Sequence, residues 1–463
     1  MAQTRLVLLA ASLLALPVAL ASPAPAQSAA PSAPPAVPKI VTGQSGTACR
    51  NGMGFDRFLS GVKQQAIAAG VSQRTISAAS PYLVYDQGII NRDRGQRVFG
   101  QLFTEFAGRM AAVSRMQQGQ ARIRANAAAF ARAEKEYGVP PEVIAAFWGL
   151  ESDFGSNMGS LPTLKSLVSL AYDCRRSEMF VAETIAALKV IDRGDLHPDE
   201  MIGSWAGELG QTQFLPTHYV TYAVDYDGDG RRDLLQSAPD VIGSTANYLA
   251  TGLKWRRGEP WLEEVVLPKN FPWEQADLTI RLPRAQWAQL GVTYPNGHPL
   301  PKDQLPGSVL LPMGRMGPAF MAYPNFAAYT EWNNSLIYST TAGYLATRIK
   351  GAAPMRRTGP VPQLPFEELK ELQQLLARAG YDVGKIDGVM GQLSRTAVKA
   401  MQIKYGLPAD SWPTAELLAR MRGGPARLQA QPQPQPGGTT PPSRPRQDGR
   451  TRPSPAQGGM PSF

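Results

Sequence analysis

Residues 137–155, which read YGVPPEVIAAFWGLESDFG, predict a helix with one strongly apolar face. Pro140 and Pro141 favour a helix start, because a residue in the first turn can spare its N–H group. The apolar face comes from residues that recur at helical spacing, namely Val143, Ile144, Phe147, Trp148 and Leu150. Glu151 lies one turn after Phe147 and Trp148, so it shares that face. We expect Gly155 to end the helix.

The position of Glu151 beside aromatic side chains has a chemical consequence. A carboxyl group packed against rings resists ionisation, because removal from water penalises the charged form. A carboxylic acid that stays neutral at working pH is what general acid catalysis needs. The helix by itself leaves two interpretations of Glu151, which are a buried general acid and a last-turn glutamate that faces water.

The length and the charge of the chain narrow the classes of function. Its 463 residues suffice for two or three domains, and a hydrophobic content of 43% can fill a sizeable core. The net charge of +10 favours an acidic polymer or surface as partner. Nucleic acid, anionic lipid and the bacterial cell wall all meet that requirement.

The first 26 residues predict export. Arg5 precedes the apolar run LVLLAASLLALPVAL, and small-residue cleavage patterns follow at 19–21 and 24–26. No cysteine stands close behind them, so we expect no lipoprotein anchor, and no later stretch is long and apolar enough to span a membrane. We therefore predict a soluble, periplasmic protein, and this location disfavours nucleic acid as the partner.

Cys49 and Cys174 are the only cysteines in the sequence. Two cysteines in an oxidising compartment usually pair, and a disulfide across so long a loop is worth roughly 4–5 kcal/mol in the chain-entropy model. The alternative is two free, buried thiols. Neither their spacing nor the three histidines indicate a metal site.

Composition divides the chain into six segments. They are a signal peptide (1–26), an Ala/Pro/Ser-rich spacer (27–47), a mainly helical body (48–350), a Gly/Pro linker (351–363), a compact helical unit (364–422) and a disordered Pro/Gln/Arg-rich tail (423–463). Apolar periodicity predicts helices at 54–70, 164–170, 180–191, 242–253 and 325–349, with at least two more within 96–136. Frequent prolines within 260–320 indicate small strands there, such as 263–267 and 278–282.

The stretch 203–219, GSWAGELGQTQFLPTHY, is a candidate sugar-binding loop. Its three glycines allow close approach of the backbone. Ser204, Gln211 and Gln213 supply hydroxyl and amide groups, which both donate and accept hydrogen bonds. The alternative is a polar turn between helices.

Residues 225–233, DYDGDGRRD, match the first half of a calcium-binding loop. The expected ligands are the side chains of Asp225, Asp227 and Asp229 and the carbonyl oxygen of Arg231. The glutamate that usually closes such a loop is absent, and Asp240 is the candidate to replace it. A solvated turn without a metal is the alternative.

Several of these stretches together resemble the lytic murein transglycosylase B family of cell-wall enzymes. The matching stretches are YGVPPEVIAAFWGLESDFG, AYDCRRSEMF, GSWAGELGQTQFLPTHY, AVDYDGDGRRDL, STANYLATGLKW and WNNSLIYS, in family order over most of residues 48–350. The resemblance implies a lysozyme-like helical fold with a small strand-containing subdomain. It also implies cleavage of the MurNAc–GlcNAc β-1,4 bond in peptidoglycan, with structural Ca²⁺ and no organic cofactor.

The resemblance further implies roles for single residues. The family's one catalytic acid falls on Glu151, which would protonate the glycosidic oxygen and then deprotonate the C6 hydroxyl of MurNAc to leave a 1,6-anhydro end. The substrate contacts would fall on Arg175, Arg176, Ser204, Gln213, Tyr248, Trp332, Asn333 and Tyr338. Adjacent residues rarely share a helix face, so we expect one of the two arginines to be structural.

Two positions depart from the family pattern. Glu208 stands where a small apolar residue is usual, and a second carboxylate in the cleft would favour hydrolysis by a muramidase over the one-acid mechanism. Trp332 stands where tyrosine is common, which keeps stacking on sugar but loses a hydroxyl group.

Residues 364–422 resemble the peptidoglycan-binding type 1 module. The resemblance is carried by LQQLLARAGYDVGKIDGVMGQLSRTAVKAMQIKYGLPAD, in which Ser394 and Met401 replace the usual Thr and Phe. Peptidoglycan is therefore the expected partner. Two alternatives are a three-helix bundle that binds nothing and a wall-binding protein without catalysis.

Overall fold

The computed structural model describes residue 50 and residues 52–95 and 101–423, which all belong to one compact unit. Its helices are α1 (Phe55–Ala68), α2 (Gln73–Ala79), α3 (Gln87–Arg94), α4 (Phe103–Met110), α5 (Val113–Ala125), α6 (Ala127–Tyr137), α7 (Pro141–Ser152), α8 (Thr163–Tyr172), α9 (Ser177–Asp192), α10 (Pro216–Tyr222), α11 (Ala238–Asn247), α12 (Arg284–Gln289), α13 (Phe326–Trp332), α14 (Leu336–Ile349), α15 (Phe366–Arg378), α16 (Gln392–Lys404) and α17 (Ala415–Met421). Its strands are β1 (Leu161–Pro162), β2 (Ile202–Gly203), β3 (Leu262–Val265), β4 (Leu282–Pro283), β5 (Pro306–Leu310) and β6 (Ala319–Ala322). The predicted signal peptide and spacer, and the tail beyond Gly423, lie outside the described residues.

The most buried helix is α7. It packs against α5, α6, α11 and α14, and almost every side chain from Val143 to Leu150 is buried. A helix that is apolar on all sides belongs in the interior of a fold. Glu151, in the last turn of α7, is therefore carried into the protein by the helix itself.

The predicted helix at 325–349 is in fact two helices, α13 and α14. A short turn separates them, in which the side-chain oxygen of Asn333 accepts from the N–H of Ser335 at 2.9 Å. Ser335 then caps α14 by accepting from the N–H of Tyr338 at 3.3 Å. This turn places Trp332 and Tyr338 close together, at the end of one helix and the start of the next.

Two other helical segments differ from their predicted bounds. Residues 101–137 form three helices of 8 to 13 residues, α4 to α6, where at least two long helices were predicted. The predicted helix at 242–253 begins earlier, as α11, and ends in a single π-helical turn, Tyr248–Gly252. Turns of this kind occur frequently at functional sites.

The small sheet subdomain lies between α11 and α13 in sequence. Four antiparallel strands follow the order β3-β6-β5-β4, and β1 pairs separately with β2. Trp287 of α12 is fully buried against the four-stranded sheet and donates to the carbonyl oxygen of Gly307 at 2.9 Å. The predicted strand at 263–267 corresponds to β3, but of the one at 278–282 only Leu282 is in a strand.

The C-terminal helices α15, α16 and α17 share a core of their own and dock on the sheet subdomain. Arg395 of α16 is buried, and its guanidinium group donates to the carbonyl oxygens of Leu311 at 2.5 Å and Pro312 at 3.3 Å. Lys399 donates to the carboxylate of Asp277 at 2.7 Å. Buried cations are costly unless they are paired, so these contacts favour one docked arrangement.

Two sequence predictions concern segments that the structure describes only in part. Cys174 is disulfide-bonded, but Cys49 lies outside the described residues, so their pairing stays a prediction. Within the described ranges, none of the helices has the length and apolar character that a membrane crossing requires.

Candidate active site

The buried helix α7 ends at Ser152, before the predicted stop at Gly155. Asp153, Phe154 and Gly155 adopt left-handed backbone conformations, with φ angles of 50°, 58° and 90°. The hydroxyl of Ser152 donates to the carbonyl oxygen of Gln211 at 2.5 Å and accepts from the N–H of Gly155 at 2.8 Å. A β-carbon on Gly155 would lie 2.5 Å from the side-chain oxygen of Gln211, so a glycine here lets the loop of Gln211 approach the helix end.

The carboxyl group of Glu151 is held by two donors on one of its oxygens. The indole N–H of Trp332 donates to Oε1 at 2.8 Å, and the hydroxyl of Tyr338 donates to the same oxygen. Among the described residues, no hydrogen bond reaches Oε2. Burial raises the pKa of Glu151 to about 7, and the hydrogen bonds from Tyr338 and Trp332 oppose that rise. The oxygen Oε2 of Glu151 is therefore the one that can carry an acidic proton near neutral pH.

Aromatic rings fix the indole of Trp332 in place. Its ring stacks on Phe147 of α7 with centroids 4.2 Å apart, and it lies 5.2 Å from the ring of Tyr248 and 5.9 Å from that of Phe214. Such contacts add to the stabilisation from buried area. The indole N–H thus points at Glu151 with little freedom to turn away.

Gln211 joins the end of α7 to the glycine-rich loop. Its side-chain oxygen accepts from the indole N–H of Trp148 at 2.8 Å, and its side-chain N–H donates to the carbonyl oxygen of Leu235 at 2.8 Å. The contacts with Trp148 and Ser152 hold the loop against the helix, and the contact with Leu235 ties it to the segment before α11. Gln211 is one of the polar residues of the candidate sugar-binding loop. Gln211 can bridge the loop and the helix because Gly155 has no side chain to keep it away. No local sequence pattern predicts this contact.

Ser204 and Glu208 of the same loop bind each other. The hydroxyl of Ser204 donates to Oε2 of Glu208 at 2.7 Å, and the N–H of Ser204 donates to the carbonyl oxygen of Glu208 at 3.1 Å. Burial, with a smaller contribution from the charge of Glu151, raises the pKa of Glu208 to about 7, and the hydrogen bond from Ser204 opposes that rise. Glu208 is thus a second buried carboxyl group whose charge interacts with that of Glu151.

Arg175 and Arg176 both pair with Asp93 at the end of α3. Asp93 is buried, and its Oδ1 accepts from Arg175 and, at 2.7 Å, from Arg176. The guanidinium group of Arg176 also lies over the ring of Phe180, 4.8 Å from its centroid, and its charge lowers the pKa of Glu208. Arg176 is thus the arginine nearer to the cleft. Asp93 had no signal in the sequence, since it is far from both arginines along the chain.

The other predicted contact residues, Gln213, Tyr248 and Asn333, are each held by contacts of their own. Gln213 has a positive φ of 50°, and its side chain donates to the carbonyl oxygens of Gly210 at 2.8 Å and Met158 at 3.3 Å. Tyr248 stacks near His218 and Tyr222, with centroid distances of 4.6 Å and 4.7 Å. The sequence analysis did not single out these last two rings. Asn333 uses its side-chain oxygen in the turn before α14.

The predicted metal ligands Asp225, Asp227 and Asp229 do lie together. One carboxylate oxygen of each falls within 4.8 Å of the other two. Hydrogen bonds from the backbone N–H groups of Gly230 and Gly228 lower the pKa of Asp225. Three carboxyl groups in one loop suit Ca²⁺, which prefers hard oxygen ligands.

Asp240 is not part of that group of carboxylates. It is fully buried at the start of α11, and its carboxylate accepts from the backbone N–H groups of Tyr226 at 2.6 Å, Asp227 at 3.3 Å and Asp233 at 2.7 Å. Asp240 therefore holds the backbone of the loop and does not join its group of carboxylates. The guanidinium group of Arg231 turns away, to the carbonyl oxygen of Asp195 at 2.9 Å.

Comparison with known families gives two matches. The transglycosylase SLT domain family matches residues 54–347, and the peptidoglycan binding domain family matches residues 367–421. Among curated proteins, membrane-bound lytic murein transglycosylase B of Escherichia coli is 32% identical over 220 residues, which are 47% of this chain and 59% of that protein. The chain thus spans less than two thirds of the length of this relative.

Solved structures agree with the family matches. SltB3 from Pseudomonas aeruginosa in complex with NAG-anhNAM-pentapeptide is 40% identical, has a TM-score of 0.74, and covers 80% of this chain and all of its own. The Escherichia coli lytic transglycosylase Slt35 in complex with calcium is 26% identical, with a TM-score of 0.54, over 62% of this chain and 91% of its own. The predicted lysozyme-like, mainly helical fold is confirmed. The chain belongs to the transglycosylase SLT domain family, and a peptidoglycan binding domain follows that domain.

Proposed function

We propose that this protein is a lytic transglycosylase that cleaves the β-1,4 bond between MurNAc and GlcNAc in peptidoglycan. The observation that carries the proposal is the carboxyl group of Glu151. It is held by Trp332 and Tyr338, and its pKa is raised to about 7. The complex of SltB3 with NAG-anhNAM-pentapeptide supports the choice of substrate and product.

The proposed reaction uses Glu151 twice. Its Oε2 first gives a proton to the glycosidic oxygen as the bond to C1 of MurNAc breaks and positive charge develops on the sugar ring. The C6 hydroxyl of the same MurNAc then bonds to C1, and the ionised Glu151 takes the hydroxyl proton. The products are a GlcNAc hydroxyl and a 1,6-anhydro-MurNAc end, and no water is consumed.

The other residues of the cleft have supporting roles in this proposal. Trp332 and Tyr338 hold Glu151 and border the sugar, while Ser204, Gln213, Tyr248 and Asn333 contact it. Arg176 faces carboxylates of the substrate, and Arg175 is the more structural of the pair with Asp93. These roles follow the family resemblance, and the hydrogen bonds of Trp332 and Tyr338 to Glu151 support theirs.

We also propose that Asp225, Asp227, Asp229 and the carbonyl oxygen of Arg231 hold a structural Ca²⁺. When bound, the ion would supply positive charge that ties the loop between α10 and α11 together. The calcium complex of Slt35 supports this choice of metal. Asp240 would fix the backbone of this loop, because it accepts from the N–H groups of Tyr226 and Asp233.

The helices α15, α16 and α17 are proposed to bind peptidoglycan, as their family match suggests. A signal peptide at residues 1–26 would export the protein to the periplasm, where this substrate lies. The proposed boundaries of the catalytic domain, linker and module remain 48–350, 351–363 and 364–422.

Mass spectrometry of the soluble products from purified peptidoglycan tests the proposed reaction. We expect anhydro ends, which are lighter by one water than hydrolysed ends. Glu151→Gln should reduce their release by at least roughly 10²-fold, because the general acid is lost, while pull-down with peptidoglycan stays unchanged. Glu274→Gln is the matched control, since Glu274 is an exposed glutamate of the sheet subdomain.

Glu208 favours a second candidate, a hydrolytic muramidase with two carboxyl groups. The same mass spectra separate the two reactions, because hydrolysis leaves reducing ends. Reducing ends, or full activity of Glu151→Gln, would refute the transglycosylase proposal.

A further inference from the structure

A row of aromatic rings leads away from the carboxyl group of Glu151. Trp332, which donates to Glu151, has its ring centroid 5.2 Å from that of Tyr248. The centroid of Tyr248 lies 4.6 Å from that of His218 and 4.7 Å from that of Tyr222, each pair at an interplanar angle of 33°. Tyr248 is buried, whereas the other three rings are half-buried. These four residues, which we call the aromatic row, thus extend from Glu151 to solvent.

The packing around the aromatic row holds its rings in place. His218 and Tyr222 lie one turn apart on α10, so they share a helix face. The buried ring of Phe214 lies 5.4 Å from Tyr248 and 6.4 Å from His218. Gly252 leaves room for both tyrosines, because a β-carbon there would lie 2.6 Å from the ring of Tyr248 and 2.9 Å from that of Tyr222. The rings are therefore arranged without a ligand, which lowers the entropic cost of binding one.

The polar atoms of these rings are free to bind a ligand. Among the described residues, no hydrogen bond reaches the hydroxyl groups of Tyr222 and Tyr248 or the ring nitrogens of His218. Burial lowers the pKa of His218, and a neutral imidazole can both donate and accept. Tyr219 of the same helix is the contrast, since it is fully buried and its hydroxyl donates to the carbonyl oxygen of Arg232. The contacts of Tyr219 are those of a structural side chain, and His218 and Tyr222 lack them.

The chemistry of the row suits a neutral sugar. A pyranose ring has a face of C–H groups and a rim of hydroxyl groups, which match an aromatic face with a polar tip. Burial, with smaller contributions from Tyr222 and the charge of Glu331, raises the pKa of Tyr248 to about 12. The carboxylate of Glu331 therefore adds negative charge near the row, and this charge favours an uncharged ligand over an anion.

We propose that His218 and Tyr222, beside Tyr248, form an additional sugar-binding subsite that holds a further GlcNAc unit of the glycan strand. The inference rests on the proposed function of Glu151. It adds two residues of α10 to the substrate contacts that the family resemblance implies. A strand long enough to reach from Glu151 to His218 is then bound more tightly than a shorter one.

An NMR titration of the full chain tests the subsite directly. The protein carries ¹³C-labelled histidine and Glu151→Gln, so that bound glycan stays intact, and the probe is a peptide-free octasaccharide of alternating GlcNAc and MurNAc. The three histidines of the chain are His197, His218 and His298, and the signal that is missing from His218→Ala identifies His218. We expect the octasaccharide to move the His218 signal and to leave those of the exposed His197 and His298 in place.

The same titration gives the dissociation constant of the octasaccharide at this subsite. Tyr222→Ala, added to Glu151→Gln, should weaken binding by roughly 3–10-fold, because the apolar face of one sugar loses part of its cover. Tyr222→Phe is the matched control, since it keeps the ring and should bind almost as the parent does. Equal affinities of Tyr222→Ala and the parent would overturn the proposal.

Mass spectrometry of the octasaccharide treated with the unaltered protein separates this proposal from the proposed function. Anhydro products, together with a His218 signal that stays in place in the titration, would overturn the subsite and leave the proposed function intact. A His218 signal that moves, without any cleavage products, would support the subsite and count against the proposed function. The titration of Glu151→Gln changes no ring of the aromatic row, so it decides the matter even if Tyr222→Ala does not fold.

Discussion

The two oxygens of the Glu151 carboxyl group have different surroundings. Oε1 accepts from Trp332 and Tyr338, while Oε2 receives no hydrogen bond from the described residues. Donors to a carboxylate stabilise its ionised form, and burial opposes that form. The balance explains why the pKa of Glu151 is raised to about 7 and no further.

Tyr338→Phe should alter both the rate and its pH dependence. Loss of the hydroxyl removes a donor that stabilises the ionised form, so the pKa of Glu151 rises and the alkaline limb moves to higher pH. The maximal rate should fall by roughly 10–100-fold, because the carboxylate left after proton transfer loses a charge-assisted hydrogen bond. Initial rates of anhydro-product release between pH 5 and pH 9 would measure both effects.

Tyr329→Phe is the matched control for this experiment. The hydroxyl of Tyr329 is also buried, but among the described residues it has no hydrogen-bond partner. Its removal should therefore leave the alkaline limb where it is. A limb that moves to lower pH in Tyr338→Phe, or equally in both variants, would contradict this account of Glu151.

The sequence placed Glu151 on an apolar helix face but did not predict its hydrogen-bond donors. The spacing of Glu151 from Phe147 and Trp148 within one helix was enough to place it on an apolar face. Trp332 had been interpreted as a stacking residue that lacks a hydroxyl, whereas its indole N–H is itself a donor to Glu151. That contact joins residues far apart in the chain, so it cannot be predicted from the periodicity of a single helix.

In the loop between α10 and α11, the sequence predicted the group of three aspartates but not the role of the fourth, Asp240. The spacing of Asp225, Asp227 and Asp229 brings their carboxylates together, as predicted. Asp240 was expected to join them but accepts backbone N–H groups instead. The difference is physical, because a carboxylate buried at a helix start is satisfied most directly by the N–H groups of the loop that packs on it.

Calcium should stabilise the folded protein measurably. For protein first treated with a chelator, Ca²⁺ at one hundred times its dissociation constant should add about 2.7 kcal/mol to the free energy of unfolding. Asp229→Asn should lose most of this gain, because it removes one of three charges from the site. Thermal unfolding with and without Ca²⁺ is the measurement.

Asp199→Asn serves as the control for the calcium experiment, since Asp199 is exposed and outside the loop. It should respond to Ca²⁺ as the unaltered protein does. Unfolding temperatures that are the same in Ca²⁺ and in chelator would rule out the proposed metal site.

Among the secondary structure elements, the helices were predicted better than the strands. The helical segments α1, α8 and α9 lie close to their predicted bounds, because each has a clear apolar face. The strand expected at 278–282 was wrong, since residues 278 and 279 form a turn in which Thr279 donates to Asp277, and the chain pairs with β5 only from Leu282. A short apolar run bounded by prolines does not show whether the segment forms a strand, as at β3, or a turn, as at 278–279.

The sequence could not predict that α15, α16 and α17 dock on the sheet subdomain. The composition of residues 351–363 indicated a linker, and nothing in it shows what the next unit contacts. The contacts depend on Arg395 and Lys399 of α16 and on Asp410, which accepts from Arg315 at 3.1 Å. Gly314 allows this approach, because a β-carbon there would lie 2.4 Å from the Cβ of Trp412.

Arg395→Ala should loosen this docking without unfolding either part. The carbonyl oxygens of Leu311 and Pro312 would lose their buried donor, at a cost of about 1–3 kcal/mol for each unsatisfied group. We expect calorimetry to resolve an added transition at lower temperature, from helices that now unfold apart from the body.

Arg378→Ala is the control for this change, since Arg378 is exposed on α15 and away from the interface. It should unfold as the unaltered protein does. A single transition at an unchanged temperature in Arg395→Ala would show that the buried guanidinium group does not hold the two parts together.

The docked module has a consequence for encounters with the wall. Two binding units on a loose tether meet one polymer with an effective concentration that falls as the tether lengthens. If the module binds the wall as proposed, the contacts of Arg395 and Lys399 give it a fixed distance from Glu151. Most of the search of one unit for a strand that the other holds would then be completed when the protein folds. A strand gripped by the module would then meet the cleft at one repeatable interval, counted in sugar units.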